Sequence, residues 1–191
     1  MKFLAVTAGI FFLAAPLALA QTSTWKSDPA QSEVSFTIRH LSISNVQGHF
    51  GDVKATIHYN PDNVAQTSVL ATVGVNTVDT GESGRDDELN SSDFFDVSRF
   101  PTATFVSTSV SKNGDGLWIH GNLTLHGVTR PVVLNVKGPT PPVQGPGGET
   151  RSSFSATTTI DRIAFGIGTE YPSAIVGDQV KLLIKLAIVK Q

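Results

Sequence analysis

Apolar and polar residues alternate along most of this chain, and a period of two is typical of half-buried β-strands. The segment 33–40 shows the pattern clearly, because Val34, Phe36 and Ile38 are separated by polar or charged side chains. We therefore expect an all-β fold of eight main strands. After a short extended start at 25–28, the alternation predicts these strands at 34–40, 53–59, 68–78, 102–110, 117–126, 132–136, 153–160 and 180–188.

The connections between these segments are mostly short. Residues 60–63 have the composition of a tight turn, and residues 112–116 have that of a hairpin. Short connections join antiparallel neighbours. We expect the glycine-flanked segment 48–51 to be a bend. The Pro/Gly-rich stretch 138–148 is expected to be an exposed loop that cannot join a sheet.

Two architectures are compatible with eight antiparallel strands that each have one apolar face. One is a sandwich, and the other is an up-and-down barrel. An eight-stranded barrel is just wide enough to hold one ligand. Glycines within or beside strands, such as Gly74 and Gly121, suit a curved wall. The pattern alone leaves both architectures open.

The clearest interruption of the strand pattern is the segment 83–105. It begins with charged, helix-competent residues, continues through a Ser/Asp-rich turn to Phe94 and Phe95, and ends at Pro101. A short polar helix followed by adjacent phenylalanines is expected where a closed wall needs a cover over one open end. We therefore predict a short helical lid segment. Phe94, Phe95 and Phe100 could gate a pore mouth or fill it as a packed plug.

The first twenty residues have the composition of a secretory signal peptide. Lys2 gives a positive start, residues 3–15 are an apolar run, and 18–20 form a small-x-small cleavage site. The alternative is a membrane anchor, but the run is shorter than the about 20 residues that a bilayer-spanning helix needs. We expect cleavage after Ala20, which leaves residues 21–191 as one exported domain.

The composition of the chain argues against several classes of partner and excludes cysteine-dependent sites. With Lys2 removed, 13 basic residues stand against 16 acidic residues, so the net charge of −3 argues against nucleic acid or an anionic membrane as the main partner. The chain has no cysteine. Disulfides, thiol nucleophiles, Cys-ligated zinc, iron–sulfur clusters and covalently attached haem are therefore excluded. No segment after the signal peptide is long and apolar enough to span a membrane.

Several strings, in this order, resemble the YceI-like family of polyisoprenoid-binding periplasmic proteins, and together they cover nearly all of the exported chain. The strings are 25–38 with His40, 48–50, Gly84-Arg85-Asp86 with Leu89 and 92–96, 100–105, 121–129, and Asp161-Arg162 with Phe165-Gly166. The resemblance implies a lipocalin-like barrel whose apolar pore takes a long isoprenoid or another lipid. It also implies location in the bacterial periplasm and frequent homodimers.

The inward faces of the strands and the lid phenylalanines are the main candidate binding residues. An ordinary packed core is the alternative, because alternating apolar residues normally form a core. The family resemblance favours a pore. The candidate pore residues are Val34, Phe36, Ile38, Phe50, Val53, Ile57, Val73, Phe94, Phe95, Phe100, Phe105, Leu123, Leu125, Ile160, Phe165, Leu182 and Ile184.

Three basic residues are candidates for contact with a ligand head group. Arg85 stands beside the expected pore mouth, and a guanidinium suits an anion such as a pyrophosphate. The alternative for Arg85 and Asp86 is that they cap or tether the lid helix. Arg39 and His40, at the end of the first main strand, are weaker candidates of the same kind.

Catalytic and metal-binding motifs are not evident. Residues 80–85 lack the Gly-Lys-Ser/Thr ending of a phosphate loop, and residues 81–84 miss the nucleophile-elbow spacing by one residue. The five histidines lack metal-site spacing, so neither a metal nor a cofactor is expected. Asp161 and Arg162 are expected to form a structural ion pair at a strand end.

The sequence thus predicts a periplasmic protein that holds a polyisoprenoid, an isoprenoid quinone or a fatty-acid derivative for transport or storage. The alternative is an enzyme that acts on such a lipid in the same pocket. An enzyme needs a polar residue deep in the barrel, and His40 and Thr158 share parity with apolar neighbours. A third possibility is a structural sandwich without a ligand.

Overall fold

A computed structural model describes residues 22–191. These residues form eleven strands of one sheet and one α-helix. The strands are β1 (Ser23–Ser27), β2 (Glu33–His40), β3 (Ser44–Phe50), β4 (Lys54–Tyr59), β5 (Ser68–Gly74), β6 (Thr102–Asn113), β7 (Gly116–Leu125), β8 (Val128–Lys137), β9 (Val143–Gln144), β10 (Thr150–Asp161) and β11 (Val176–Lys190), and the helix is α1 (Ser83–Asn90).

The sheet closes on itself as an eight-stranded antiparallel barrel. β1 and β2 pair with successive parts of β11, so they are two halves of one bent strand. β4 and β3 pair with those halves in turn, and they form a second bent strand. Strands then follow one another in chain order until β11 pairs with both β10 and the first bent strand. This order confirms the predicted up-and-down barrel and excludes the sandwich.

Local backbone chemistry explains both bends. A short 3-10 turn at Pro29–Gln31 separates β1 from β2, and its first residue is a proline, which cannot donate to a strand ladder. Between β3 and β4, Asp52 has a φ of 46°, which ends the extended conformation. Each bend changes the direction of the backbone, so that two consecutive strands together form one bent strand of the barrel wall.

Three sequence-based strand assignments are corrected by the structure. Residues 44–50 form the strand β3, because their backbone pairs with β2, and the bend is confined to the residues after Phe50. β5 ends at Gly74 and not at residue 78, because residues 75–77 form a 3-10 turn in which the Val78 N–H donates to the Val75 carbonyl. Two residues of the Pro/Gly-rich stretch, Val143 and Gln144, do pair with β10.

Gly121 shows why a glycine is needed in the curved wall. A Cβ added at this position would overlap the Phe105 ring and would lie 2.6 Å from the carbonyl oxygen of Val106. Phe105 lies opposite Leu123 on the inner face, so its ring fills the space that the missing side chain leaves. The glycine therefore allows a large aromatic side chain to cover the strand.

We expect Gly121→Ala to lower the free energy of unfolding by about 1–3 kcal/mol, because overpacking forces strain on the neighbours. Chemical denaturation monitored by tryptophan fluorescence measures this. Gly51→Ala is the matched control, since the nearest heavy atom to an added Cβ there is Thr77 Oγ1 at 3.9 Å. Equal stability of the two variants would contradict the explanation.

Within residues 22–191, no helix is long and apolar enough to cross a membrane. The predicted signal peptide, residues 1–20, lies outside the described residues.

Candidate functional site

The barrel encloses a cavity of about 350 Å³. The cavity reaches from His40 and Val176, at the end that α1 covers, to Tyr59 and Leu186 at the other end. On β7 the lining runs from Leu117 to Leu125. That distance is roughly 26 Å along the strand at about 3.3 Å per residue, or roughly 20 Å along a barrel axis for the usual strand tilt. The cavity is therefore long and suits an extended ligand.

Carbon atoms make up nearly all of the cavity wall, because alternate residues of the ring strands turn their apolar side chains inward. All candidate pore residues other than Phe100 and Phe165 line it. These residues are Val34, Phe36, Ile38, Phe50, Val53, Ile57, Val73, Phe94, Phe95, Phe105, Leu123, Leu125, Ile160, Leu182 and Ile184.

Phe100 and Phe165 lie elsewhere, which corrects their predicted place in the pore. The Phe100 ring packs edge-on against His126, with 4.9 Å between ring centroids, and against Gly127. Phe165 is buried in the core next to the lid end. Both residues lie outside the strands, where no side-chain period indicates which direction a residue faces.

Further lining residues were missed by the sequence analysis as site residues. Most lie on strands and share the parity of the residues that were chosen, so the same alternation could have identified them. Leu89, Ile167, Tyr171 and Ile175 come from loops or α1 and carry no such signal. The strand members are Val46, Tyr59, Val69, Ala71, Ala103, Leu117, Ile119, Val132, Leu134, Val136, Phe154, Ala156, Thr158, Val176, Val180 and Leu186.

The helix α1 begins where the sequence predicts it. Glu82 precedes the first turn, and its carboxylate accepts hydrogen bonds from the backbone N–H groups of Gly84 (3.3 Å) and Arg85 (2.8 Å). This cap satisfies two N–H groups that have no partner within the helix. The helix buries none of its residues, although Leu89 faces the cavity. It therefore covers the barrel end and is not part of its core.

Aromatic contacts and a hydrogen bond hold the lid segment on the barrel. Phe95 packs edge-on against Phe50, with 5.6 Å between ring centroids, and Phe94 lies 4.8 Å from Tyr171. The Tyr171 hydroxyl donates to Glu88 Oε1 over 2.8 Å. That hydrogen bond to a carboxylate raises the pKa of Tyr171. Tyr171 thus joins α1 to the loop that precedes β11.

Arg85 tethers the helix. Its Nε donates to Thr80 Oγ1 over 2.8 Å and its Nη2 donates to the Thr80 carbonyl over 3.2 Å, while Asp86 Oδ1 accepts from the Thr80 N–H over 2.9 Å. Arg85 also lines the cavity. The geometry therefore shows the tethering role, and a head-group role stays a prediction.

The two other basic candidates lie at the same end of the cavity. Arg39 and His40 both line it. The Arg39 guanidinium donates through Nε and Nη2 to the Ser42 carbonyl, at 3.0 and 2.7 Å. At the opposite end Tyr59 faces the cavity, and burial raises the pKa of its hydroxyl. All three basic candidates are thus gathered at the lid end.

Arg162 does not pair with Asp161, which corrects the predicted ion pair. Its guanidinium donates to Asp178 Oδ1 over 3.2 Å, and only 3 % of the Arg162 side chain is exposed to solvent. Asp161 instead accepts from the Ile163 N–H at 2.9 Å. Arg162 also donates to the carbonyls of Ile167, Gly168, Tyr171, Val176 and Gly177. It is the centre of the loop that forms one side of the cavity mouth.

His40 and Thr158, the two polar residues that the sequence suggested for catalysis, lie far apart on the cavity wall. Thr158 lies opposite Leu182, which lies opposite Phe36, and His40 is four residues beyond Phe36 on β2. Four residues span about 13 Å along a strand, so His40 and Thr158 cannot act on the same atom. Among residues 22–191, no three His, Asp or Glu side chains are grouped closely enough to hold a metal ion.

Comparison with known proteins gives a consistent result. The family described as the YceI-like domain matches residues 25–188. The chain is 41% identical over 162 residues to the Protein YceI of Salmonella newport, which covers 83% of this chain and 81% of that protein.

Two solved structures have the same fold. Burkholderia cenocepacia BcnA superposes with a TM-score of 0.74 at 29% identity, over 84% of this chain and 98% of that one. A polyisoprenoid binding domain from Saccharophagus degradans superposes with a TM-score of 0.65 at 15% identity, over 90% of this chain and 100% of that one. The second likeness concerns the fold alone.

Proposed function

Since this chain belongs to the YceI-like domain family, we propose that its barrel binds a long apolar chain: a polyisoprenoid, an isoprenoid quinone or a fatty-acid derivative. The observation that carries the proposal is the cavity, which is long, continuous and lined almost entirely by apolar side chains. A barrel that served only as a scaffold would fill this space with side chains, since protein interiors are normally close-packed.

The energetics of such a site are simple. Burial of apolar surface contributes about 25 cal/mol per Å². A chain that buries about 400 Å² therefore gains roughly 10 kcal/mol before the entropic cost of ordering it. No hydrogen bond is needed, so the site discriminates by length and girth of the chain and only weakly by head group.

The head group of the ligand is proposed to lie at the lid end. Arg39, His40 and Arg85 all face the cavity there, and the opposite end offers no basic side chain among its lining residues. A guanidinium suits an anionic or strongly polar head. The chain then extends away from these residues toward Tyr59.

Transport or storage of the lipid in the periplasm completes the proposal. The signal-like residues 1–20 support export, and the relatives compared above are bacterial proteins. A homodimer is a further proposal, supported by the partly exposed Trp118 and Val133 on the outer wall.

Extraction of the purified protein with organic solvent, followed by mass spectrometry, tests the function. We expect a long-chain lipid in a fixed ratio to protein, and we expect a fluorescent fatty-acid probe to displace it. Repeated absence of lipid, together with no binding of the probe, would contradict the proposal.

Loss of the hydrogen bond between lid and loop should change the kinetics of binding more than its equilibrium. We expect Tyr171→Phe to release bound probe about two- to tenfold faster, because one hydrogen bond that holds the lid closed is removed. Stopped-flow fluorescence measures the release rate. Tyr59→Phe, at the other end of the cavity, is the control and should leave that rate unchanged; equal acceleration in both variants would place the exit elsewhere.

A further inference from the structure

Three exposed apolar side chains lie beside the cavity mouth. Ile43 is 85% exposed, Leu41 is 51% exposed and Ile175 is 41% exposed. Leu41 and Ile43 belong to the turn between β2 and β3, and Ile175 belongs to the loop that precedes β11. We call these three residues the apolar tip.

Hydrogen bonds join the two segments of the apolar tip into one unit. The Leu41 N–H donates to the Ile175 carbonyl over 2.8 Å, and Ser42 Oγ donates to the Ala174 carbonyl over 3.1 Å. Arg39 donates to the Ser42 carbonyl and so braces the turn from its other side. The three apolar side chains are therefore presented together by a fixed backbone.

The backbone of the turn is unusual for its residues. Leu41 and Ser42 both have positive φ values, 52° and 57°. This region favours glycine, asparagine and aspartate, and a leucine there is strained by contact between its Cβ and the backbone. About half of the Leu41 side chain is in water at this strained position, which suits a side chain that makes an external contact.

The apolar tip is continuous with the cavity. Ile175 lines the cavity and is also exposed, and Val46 of β3 and Val176 of β11 line the cavity as well. An apolar path therefore leads from the outer surface of the tip into the barrel. Exposed apolar residues elsewhere, such as Leu70 and Val143, do not line the cavity.

The local charge of the tip differs from that of the whole chain. The segments 38–46 and 171–177 contain no acidic residue, and Arg39 is the one side chain with a permanent charge in them. Glu170 and Asp178 flank the second segment, and Asp178 is paired with Arg162. Arg39 is exposed beside Leu41 and can meet a phosphate oxygen. The overall negative charge excludes strong long-range attraction to anionic surfaces, so contact with a bilayer would depend on apolar insertion.

We propose that the apolar tip docks on a phospholipid bilayer, inserts Leu41, Ile43 and Ile175 at the interface, and passes the lipid between bilayer and cavity. The inference rests on the proposed function, because a long-chain lipid is hardly soluble as a monomer. Each methylene lowers its concentration in water about fourfold, so the bilayer is the practical source of ligand. The mouth of the cavity must therefore contact the bilayer.

A double variant, Leu41→Asn with Ile43→Thr, tests the proposal without disturbing the turn. Asparagine accepts a positive φ more readily than leucine, and threonine keeps the β-branched shape of isoleucine. Partition onto vesicles of phosphatidylethanolamine with a minor share of phosphatidylglycerol is measured by flotation. We expect the partition coefficient to fall about tenfold or more, with weak salt dependence in the parent protein. The rate at which a vesicle-borne fluorescent fatty acid reaches the barrel should fall with it.

Three results separate this inference from the proposed function. Equilibrium binding of the same probe, added from ethanol without vesicles, should be unchanged in the double variant. Val143→Ser, at the opposite end of the barrel, is the matched control and should leave partition and transfer unchanged. If the parent protein binds the probe normally but partitions no better than the double variant, docking is overturned while the binding function stands.

Two further outcomes also decide between the alternatives. If the parent protein binds no probe but floats with vesicles through the tip, the binding function and the lipid transfer are overturned, and the docking itself is supported. If light scattering shows a dimer that the double variant abolishes, and neither protein floats, the tip is a contact between two copies of this chain and the docking inference is overturned.

Discussion

Ala71→Trp should weaken the binding of long-chain ligands by nearly two orders of magnitude while the barrel stays folded. Ala71 is an inward residue of β5 that lines the cavity, and it lies opposite Ala55 and Phe105 on the neighbouring strands. An indole ring at this position would take up a large share of a cavity of about 350 Å³. Because Ala71 lines the cavity, we expect the indole to extend into that space.

The expected effect on affinity is large. A ligand that loses about 100 Å² of buried surface loses roughly 2.5 kcal/mol, which corresponds to nearly two orders of magnitude in Kd. Fluorescence titration with a fatty-acid probe measures the affinity. Thermal unfolding should show an unchanged or higher Tm, since the indole buries apolar surface of its own.

Leu70→Trp is the matched control for this variant. Leu70 precedes Ala71 on the same strand, points to the outer surface and is 52% exposed. The control adds the same ring outside the barrel and should bind the probe like the parent protein. A folded Ala71→Trp variant that keeps the parent affinity would show that the ligand binds somewhere other than the cavity.

Arg162→Met is expected to lower the free energy of unfolding by about 3–5 kcal/mol. The guanidinium is buried and donates to Asp178 and to five backbone carbonyls, three in the loop before β11 and two at the start of β11, so its removal leaves these acceptors without this partner. Methionine keeps the length and apolar stem of the side chain, so the loss is one of hydrogen bonding. Urea denaturation measures the change.

The same substitution should loosen the cavity mouth. The carbonyls that Arg162 holds belong to the loop that carries Tyr171 and Ile175, and this loop also receives the lid, through the hydrogen bond from the Gly168 N–H to the Asp93 carbonyl. We therefore expect faster probe release in addition to lower stability. Arg162→Lys should also be less stable than the parent protein. A single ammonium group cannot reach all of the carbonyls that lie on different sides of the planar guanidinium.

Arg130→Met is the control for the arginine prediction. Arg130 is exposed and donates to a single carbonyl, that of Ala164, over 3.2 Å. Its substitution should change stability by no more than about 0.5 kcal/mol. A change of less than about 1 kcal/mol in Arg162→Met would mean that the loop carbonyls find other partners, and Arg162 would lose its proposed place at the centre of the mouth.

Much of the cavity wall could be predicted because strand geometry is local. A period of two fixes which side chains share a face, so Val34, Phe36 and Ile38 were assigned to the inside together, and the structure places all three on the cavity wall. The short turns fixed antiparallel order. The charged start of α1 is also a local signal, and the helix occurs where it predicts one.

Other features depend on residues that are far apart in sequence, and no local pattern reveals them. The strand β3 was missed because Gly48 weakens the strand signal, yet its missing side chain is required by the Phe36 ring and the Asp79 carbonyl next to it. Phe100 and Phe165 were misplaced because loop residues have no period. The partners of Arg162 lie 5 to 16 residues away, in a loop whose path only the fold determines.

The sequence by itself determined that this chain is an antiparallel all-β protein with a short helix and determined which side chains share a face, because alternation, turns and caps are properties of neighbouring residues. Only the tertiary structure decided that those faces surround an empty space. Closure of the ring depends on β11 pairing with both β10 and the first bent strand, across more than a hundred residues of chain. Whether apolar faces touch one another or enclose a cavity is set by the curvature of the whole sheet.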